Sequence, residues 1–428
     1  MRHWKATRTT TLLLLTSLLG FSVGTPLRAQ PAWPEPPRGQ TIYDAPQDLP
    51  AGKHGDLIWA TEIKTLVPDA RAWKVLYRST DINNKALAVT GMVIAPDVAA
   101  PSNGRPVVSY AHGTTGLGPL CGISRVDNPA KDASMFYSFD SSDGIDSGIP
   151  GLTKMIKSGY VVVATDYNGL GPDNGVHQYL VGPTLARNTL DIITAARQLT
   201  VAGAGKKAAV FGWSEGGQAA VWAGQIADYS AGQFELVGSA GMAPVNVGEQ
   251  LKLESQAMAA GVKLPIMATT EMMMARYAST LAFDDLNISD VLTPFGVAFI
   301  EETARTQCSH HVAPSLDYWI PKKGSPLRND PQNQQAWASS VQKLSIGLVR
   351  AQVPTAIYQG DDDPTVMPSA TRAYMKTACA NGSTVEYRHY ANTDHIETPA
   401  AAIDDFLAWV AGRFEGKPAP SSCATENR

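Results

Sequence analysis

The sequence predicts an α/β fold: a mostly parallel central sheet flanked by helices, with a mainly helical cap inserted before the last strands. Three observations carry this. Short β-branched apolar runs alternate with helical patterns through residues 73–245, the strand pattern disappears from about residue 246 to 350, and the alternation then resumes. Strand, helix, strand in succession covers a sheet on both faces, which is the setting of parallel strands. At 428 residues, 44% hydrophobic and 17% charged, the chain has the apolar surface for a large core.

Residues 1–29 read as a secretory signal peptide: basic Arg2, Lys5 and Arg8, an apolar run over 12–21, then small residues up to Ala29. That run is too short to span a bilayer, and no later stretch approaches roughly 18 apolar residues, so a soluble exported protein without a membrane anchor is expected. The proline-rich "PAWPEPPRG" that follows reads as an extended arm. The first part of the core is expected over residues 30–245. In it "WKVLYRST" and "ALAVTGMVIAP" are strands joined by turn residues 81–84, and "PVVSYAHG" and "YVVVATD" are buried strands. "GLTKMIKSG", closed by Gly159, and "TLARNTLDIITAARQLT" have helical spacing. Residues 246–350 form the expected helical cap. The methionines of its "MATTEMMMARYASTLAF" either line an apolar acyl pocket or fill the cap's own core. Residues 351–428 complete the core with "PTAIYQGDDD", a helix around "SATRAYMKTACA", the strand "TVEYRHY" and a last helix "AAIDDFLAWVAGRF".

The full chain carries a net charge of −4, and without the leader 31 basic residues face 39 acidic ones, a net −8. A mildly acidic protein is a poor partner for nucleic acid. The four cysteines, Cys121, Cys308, Cys379 and Cys423, make two disulfides the expectation in an exported chain, with three connectivities possible. No pair has the close spacing of a structural zinc site, so no metal is expected.

The chemistry centres on "AAVFGWSEGGQAAVWAGQ". A G-x-S-x-G match alone is weak evidence, but here it follows an apolar strand and precedes a helical pattern, the strand, sharp turn and helix of a nucleophile elbow. Gly212 and Gly216 suit a turn whose neighbours pack without Cβ atoms, and the helix start offers N–H groups to a developing oxyanion. Ser214 is therefore the candidate nucleophile. It needs a base and an orienting acid, in the chain order serine, acid, histidine. Of the histidines after Ser214, His310 and His311 lie in the cap and His389 inside a strand pattern. His395 follows the last strand in "NTDHIETP" and is the candidate base. Among Asp361, Asp362 and Asp363, the last is the candidate acid because Pro364 and Val366 fix the chain after it, while its neighbours can face water; Asp394 is the alternative.

The oxyanion hole is expected from the backbone N–H of Glu215 and that of Gly113 or Thr114 in "VVSYAHGTTGLG". The Glu215 side chain reads as incidental. His112 reads as a brace for its loop rather than a base.

In this order, with a cap between the third and fourth, "VVSYAHGTTG", "VVVATDYNGLG", "GWSEGG", "QGDDDPTVMP" and "NTDHIETP" resemble the α/β-hydrolase superfamily and, within it, the secretory lipase family of fungi and bacteria. The resemblance covers most of the chain beyond the leader. It implies a secreted, cofactor-free carboxylic ester hydrolase, a lipase or esterase acting on a small-molecule or lipid ester with an apolar part, with Ser214, Asp363 and His395 as its triad. It also implies the pairings Cys121–Cys308, tying the oxyanion loop to the cap, and Cys379–Cys423, tying the tail to the late helix. A peptidase or amidase using the same three residues is the competing enzymatic reading. A catalytically idle fold acting as a binding module is the other alternative, and it sits poorly with three intact residues in order.

Overall fold

A computed structural model of the chain describes Met1 and residues 33–426 apart from 140, 173 and 174; the expected leader lies outside the described residues. Alternating apolar residues first build an antiparallel meander from β1 (Leu57–Ile63), β2 (Ala70–Thr80) and β3 (Ala86–Pro96). β2 and β3 pair along their whole lengths, from Ala70 opposite Pro96 to Thr80 opposite Ala86. The turn between them is held by Asp81, whose Oδ1 accepts the N–H groups of Asn83 and Lys85, each at 2.9 Å. The proline-rich arm lies along the free edge: the Ala60 N–H donates to the Pro34 carbonyl at 2.8 Å, and the Trp33 ring meets Trp73 edge-on. Covering that edge removes a template for unwanted strand pairing.

β4 (Arg105–Ala111), β5 (Val161–Thr165), β6 (Ala204–Trp213), β7 (Glu235–Met242), β8 (Thr355–Gly360) and β9 (Val385–Tyr390) continue the sheet in the order β1-β2-β3-β5-β4-β6-β7-β8-β9. β3 meets β5 antiparallel, and all pairings from β5 onward are parallel. The helices of the first core segment are α1 (Leu152–Lys157), α2 (Gly182–Gln198) and α3 (Glu215–Gln225). Between β7 and β8 come five helices: α4 (Val247–Ala259), α5 (Ile266–Ala282), α6 (Pro294–Thr303), α7 (Ser309–Lys323) and α8 (Gln334–Leu344). No named strand falls among the described residues of that stretch. α9 (Pro368–Ala380), α10 (Thr398–Phe414) and the short α11 (Cys423–Glu426) complete the set.

The two-residue period of the strands divides the core into layers. Val107, Val161, Val163, Ala208 and Val210 pack with Leu190 and Ile193 of α2, Val221 of α3 and Tyr374 of α9. Their neighbours Val108, Val162, Ala164, Ala209 and Phe211 face the other way, against Met155 of α1 and Phe406 and Trp409 of α10. Sequence patterning leaves β1 and β7 unassigned. The reason at β7 is its small residues, "ELVGSAGM", which carry no apolar alternation. They are there for clearance: a Cβ on Gly238 would lie 2.6 Å from the Trp409 ring, and one on Gly241 3.1 Å from the Gly217 carbonyl.

Candidate active site

Ser214 ends β6 and caps α3 with φ of 59° and ψ of −119°, a conformation costly for a residue with a Cβ. It persists because the surroundings over-determine it. The Ser214 N–H donates to the Met242 carbonyl of β7 at 2.9 Å, and its own carbonyl accepts from the Gln218 N–H at 3.1 Å. The glycines on either side are forced by contact: a Cβ on Gly216 would stand 1.9 Å from the Ala111 carbonyl oxygen, and one on Gly212 2.1 Å from that of Gly216.

The structure brings Ser214, His395 and Asp363 into one hydrogen-bonded chain. Ser214 Oγ lies 2.9 Å from His395 Nε2, and His395 Nδ1 lies 2.8 Å from Asp363 Oδ2. With Nδ1–H donating to the carboxylate, Nε2 is left to accept from the serine. Asp363 is buried, and its Oδ1 accepts the N–H groups of Thr365 at 2.9 Å and Val366 at 2.8 Å. Gln359, the polar residue near the end of otherwise apolar β8, adds its Nε2 to Asp363 Oδ2 at 3.1 Å and is itself fixed by Thr371 at 2.6 Å. Trp213 holds the base: its Nε1 donates to the His395 carbonyl at 3.0 Å, and its ring tilts against the imidazole. The sequence reading named neither Gln359 nor Trp213; a glutamine inside an apolar strand was the one available signal. The other candidates stay apart. Asp361 pairs with His389 at the surface at 2.9 Å, Asp362 and Asp394 are exposed, and His310 stacks on Phe136.

The loop after β4 lies beside the serine. Among the described residues no acceptor is paired with the backbone N–H of Gly113, Thr114 or Glu215. His112 is buried, its Nδ1 2.6 Å from the Gly113 carbonyl, its own carbonyl accepting from the Tyr167 hydroxyl at 3.0 Å. Burial outweighs the neighbouring Glu215 and lowers its pKa, which keeps the ring neutral and suits a brace. The "DYNGLG" segment supports this loop from below: buried Asp166 accepts from Thr90 at 2.6 Å and from the Ser124 N–H at 2.8 Å. A disulfide joins Cys121 to Cys308, the Ser309 N–H donates to the Thr115 carbonyl at 2.9 Å, and Gly116 bridges Cys308, so the loop is tied to α7 three times over. Cys379 bonds Cys423, fixing the tail to α9.

The Glu215 side chain is not incidental. It is fully buried, and its Oε1 lies 2.7 Å from Nε2 of His177, which is also fully buried and bonded through Nδ1 to the Asn168 carbonyl at 2.9 Å. Sequence alone gave no sign of this, because the partners stand 38 positions apart across a loop.

Beside Ser214 opens a pocket walled by Leu180, Val245, Leu251, Met272 and Val366, with Glu254 and Glu271 among its lining. Through Leu180, Val247, Leu251 and Ala275 it adjoins a second cavity against Trp337 of α8. The methionines divide between the two expectations: Met272 lines the pocket, while Met273 and Met274 are buried in the core. Burial, aided by Glu254, Glu215 and Asp363 and opposed by His395, pushes the Glu271 carboxyl up to about 7.

Comparison with known proteins adds the lineage. The model of the family described as "Secretory lipase" matches residues 147–285, a segment that contains Ser214. Lipase 2 of Candida albicans is 24% identical over 416 residues, covering 90% of this chain and 83% of that protein. Lipase A of Moesziomyces aphidis is 21% identical over 91% of this chain and 82% of its own. The chain is thus similar to secretory lipases over its middle third and to fungal lipases over most of its length. Solved structures agree on the fold. Candida antarctica lipase A superposes with a TM-score of 0.71 at 19% identity, over 89% of this chain and 87% of that one. The rice cell wall degrading esterase LipA from Xanthomonas oryzae gives 0.62 at 18% identity, over 85% and 98%.

The chain is a carboxylic ester hydrolase of the α/β-hydrolase fold, and its likeness to secreted lipases, together with two disulfides, puts it outside the cytoplasm. Among the described residues no helix is long and apolar enough to cross a membrane.

Proposed function

We propose that the protein cleaves carboxylic esters with an apolar acyl or aryl part by acyl transfer through Ser214, with His395 as general base and acid and Asp363 as the group that orients it. The observation that carries this reading is the continuous relay from Ser214 Oγ through both ring nitrogens of His395 to Asp363, at 2.9 and 2.8 Å. In it, Nε2 of His395 takes the hydroxyl proton as Ser214 Oγ bonds to the ester carbonyl carbon. The carbonyl oxygen becomes an oxyanion that accepts hydrogen bonds from the Glu215 N–H, at the positive end of α3, and from that of Gly113 or Thr114. As the tetrahedral intermediate collapses, the carbon–oxygen bond to the leaving group breaks and His395 protonates the departing alcohol. Water then enters, gives a proton to His395, and releases the acid from the serine, which takes its proton back. Residues 246–350 act as the cap over this centre, their helices α4 and α5 supplying the apolar walls for the substrate. Those walls favour esters of lipid or similar apolar character over peptides.

The test is hydrolysis of p-nitrophenyl esters from acetate to palmitate by the purified protein and by Ser214→Ala. Turnover by the wild type and a loss of about 10³-fold or more in the variant supports the reading. Equal activity in the two proteins removes Ser214 from the mechanism, and an inactive wild type returns the amidase or binding readings.

A further inference from the structure

The proposed ester hydrolase site carries a feature that plain alkyl esters do not use. The walls beside Ser214 are apolar, yet the Glu271 carboxyl enters the lining with no hydrogen-bond donor among the described residues. Two of its polar neighbours are already engaged. Gln250 spends its amide N–H groups on Glu254 at 2.9 Å and on the Thr365 carbonyl at 3.0 Å, and the Tyr179 hydroxyl is paired with Thr114 at 2.9 Å. Gln250 Oε1, buried in the same wall, is a second acceptor without a donor. Thr365 also lines the pocket with an uncommitted hydroxyl, so the open acceptors of Glu271 and Gln250 outnumber the donors there. Sealing it with a saturated chain would leave them unpaired, at a cost that selects against such a ligand.

We propose that this pocket receives an ester bearing a hydroxyl group close to the scissile bond, and that Glu271 is the residue that selects it. A hydroxyl can donate to the carboxyl and still lie against Leu180, Val245 and Met272. An ammonium fits less well: it would have to shed its water among apolar walls, in a pocket whose α5 also carries Arg276. The raised Glu271 agrees, since a carboxyl that is neutral for part of the time near pH 7 both gives and takes a hydrogen bond. The hydroxyl can belong to the acyl part or to the alcohol part of the ester, and the inference rests on the ester-hydrolase reading above.

Two matched pairs separate these cases: p-nitrophenyl 3-hydroxybutyrate against p-nitrophenyl butyrate, and 2-hydroxyethyl butyrate against propyl butyrate. In one pair the wild type is expected to favour the hydroxylated ester about 10- to 100-fold in kcat/KM. Glu271→Leu should collapse that preference to within about threefold while raising turnover of the unsubstituted ester, and Glu271→Gln, which keeps an acceptor, should retain part of it. Brisk cleavage of all four esters with no preference in either pair overturns the inference and leaves the hydrolase reading standing. A preference that survives both Glu271→Leu and Glu271→Gln overturns the role of Glu271. Failure to cleave any of the four overturns the hydrolase reading and this inference with it. The wild-type ratios decide the substrate class even if a variant fails to fold.

Discussion

Replacing Glu271 by glutamine, nearly isosteric but unable to ionise, should stabilise the fold by an amount that grows with pH. Burial lifts this carboxyl from the ordinary 4.5 to about 7 in the folded protein. Between those values the folded state keeps a proton that the unfolded chain has released, so the fold binds more protons than the unfolded state and loses stability as pH rises from 4.5 through 7. Working the linkage through, the glutamate costs under ~1 kcal/mol at pH 5 and about 3 kcal/mol at pH 9. At ~2.1 cal/mol/K per residue a fold of this size has an unfolding entropy of about 0.8 kcal/mol/K, so the variant should melt about 1 °C higher at pH 5 and about 4 °C higher at pH 9. Melting temperatures of both proteins at the two pH values test this. The groups facing Glu271, namely Glu254, Glu215, Asp363 and His395, are common to both proteins and largely cancel in the difference. A stabilisation that is the same at both pH values, or larger at pH 5, refutes the argument that the carboxyl is held uncharged by its pocket.

Three further perturbations follow from the site. Asp363→Asn should lower kcat about 10⁴-fold by favouring the wrong imidazole tautomer, with little change in melting temperature because its side-chain oxygen can still accept from Thr365 and Val366; steady-state kinetics and a thermal scan check both halves. Glu215→Ala strands buried His177 without its partner and should destabilise the fold by about 1–3 kcal/mol in urea titration, whereas Glu215→Gln should recover most of that and of kcat. Cys121→Ser with Cys308→Ser opens a loop closed across 187 residues, and a chain-entropy account puts the loss at up to about 5 kcal/mol; an unchanged urea midpoint would show that the other two ties between the loop and α7 suffice.

The sequence by itself determined those features whose signal is local. Val161, Val162 and Val163 make a buried strand wherever they are placed, Gly212 and Gly216 announce a turn that excludes Cβ atoms, and the order serine, acid, histidine singled out Ser214, Asp363 and His395 for the positions where the structure brings them together. The preference for Asp363 among three adjacent aspartates rests on Pro364 and Val366 after it, and in the fold the Val366 N–H donates to its Oδ1. Where the information is a contact between distant segments, the chain alone was silent. β7 has no apolar alternation, since its glycines exist to admit Trp409 and α3 rather than to form a strand. Glu215 looked like filler until folding set it against His177, and Gln359 and Trp213 acquired their partners only when β8 and the His395 loop closed over β6. Glu271 is the clearest case. On the sequence it is one acid in a methionine-rich helix, and only the packing of α5 beside the nucleophile sets it in the lining of the pocket, where burial raises its carboxyl.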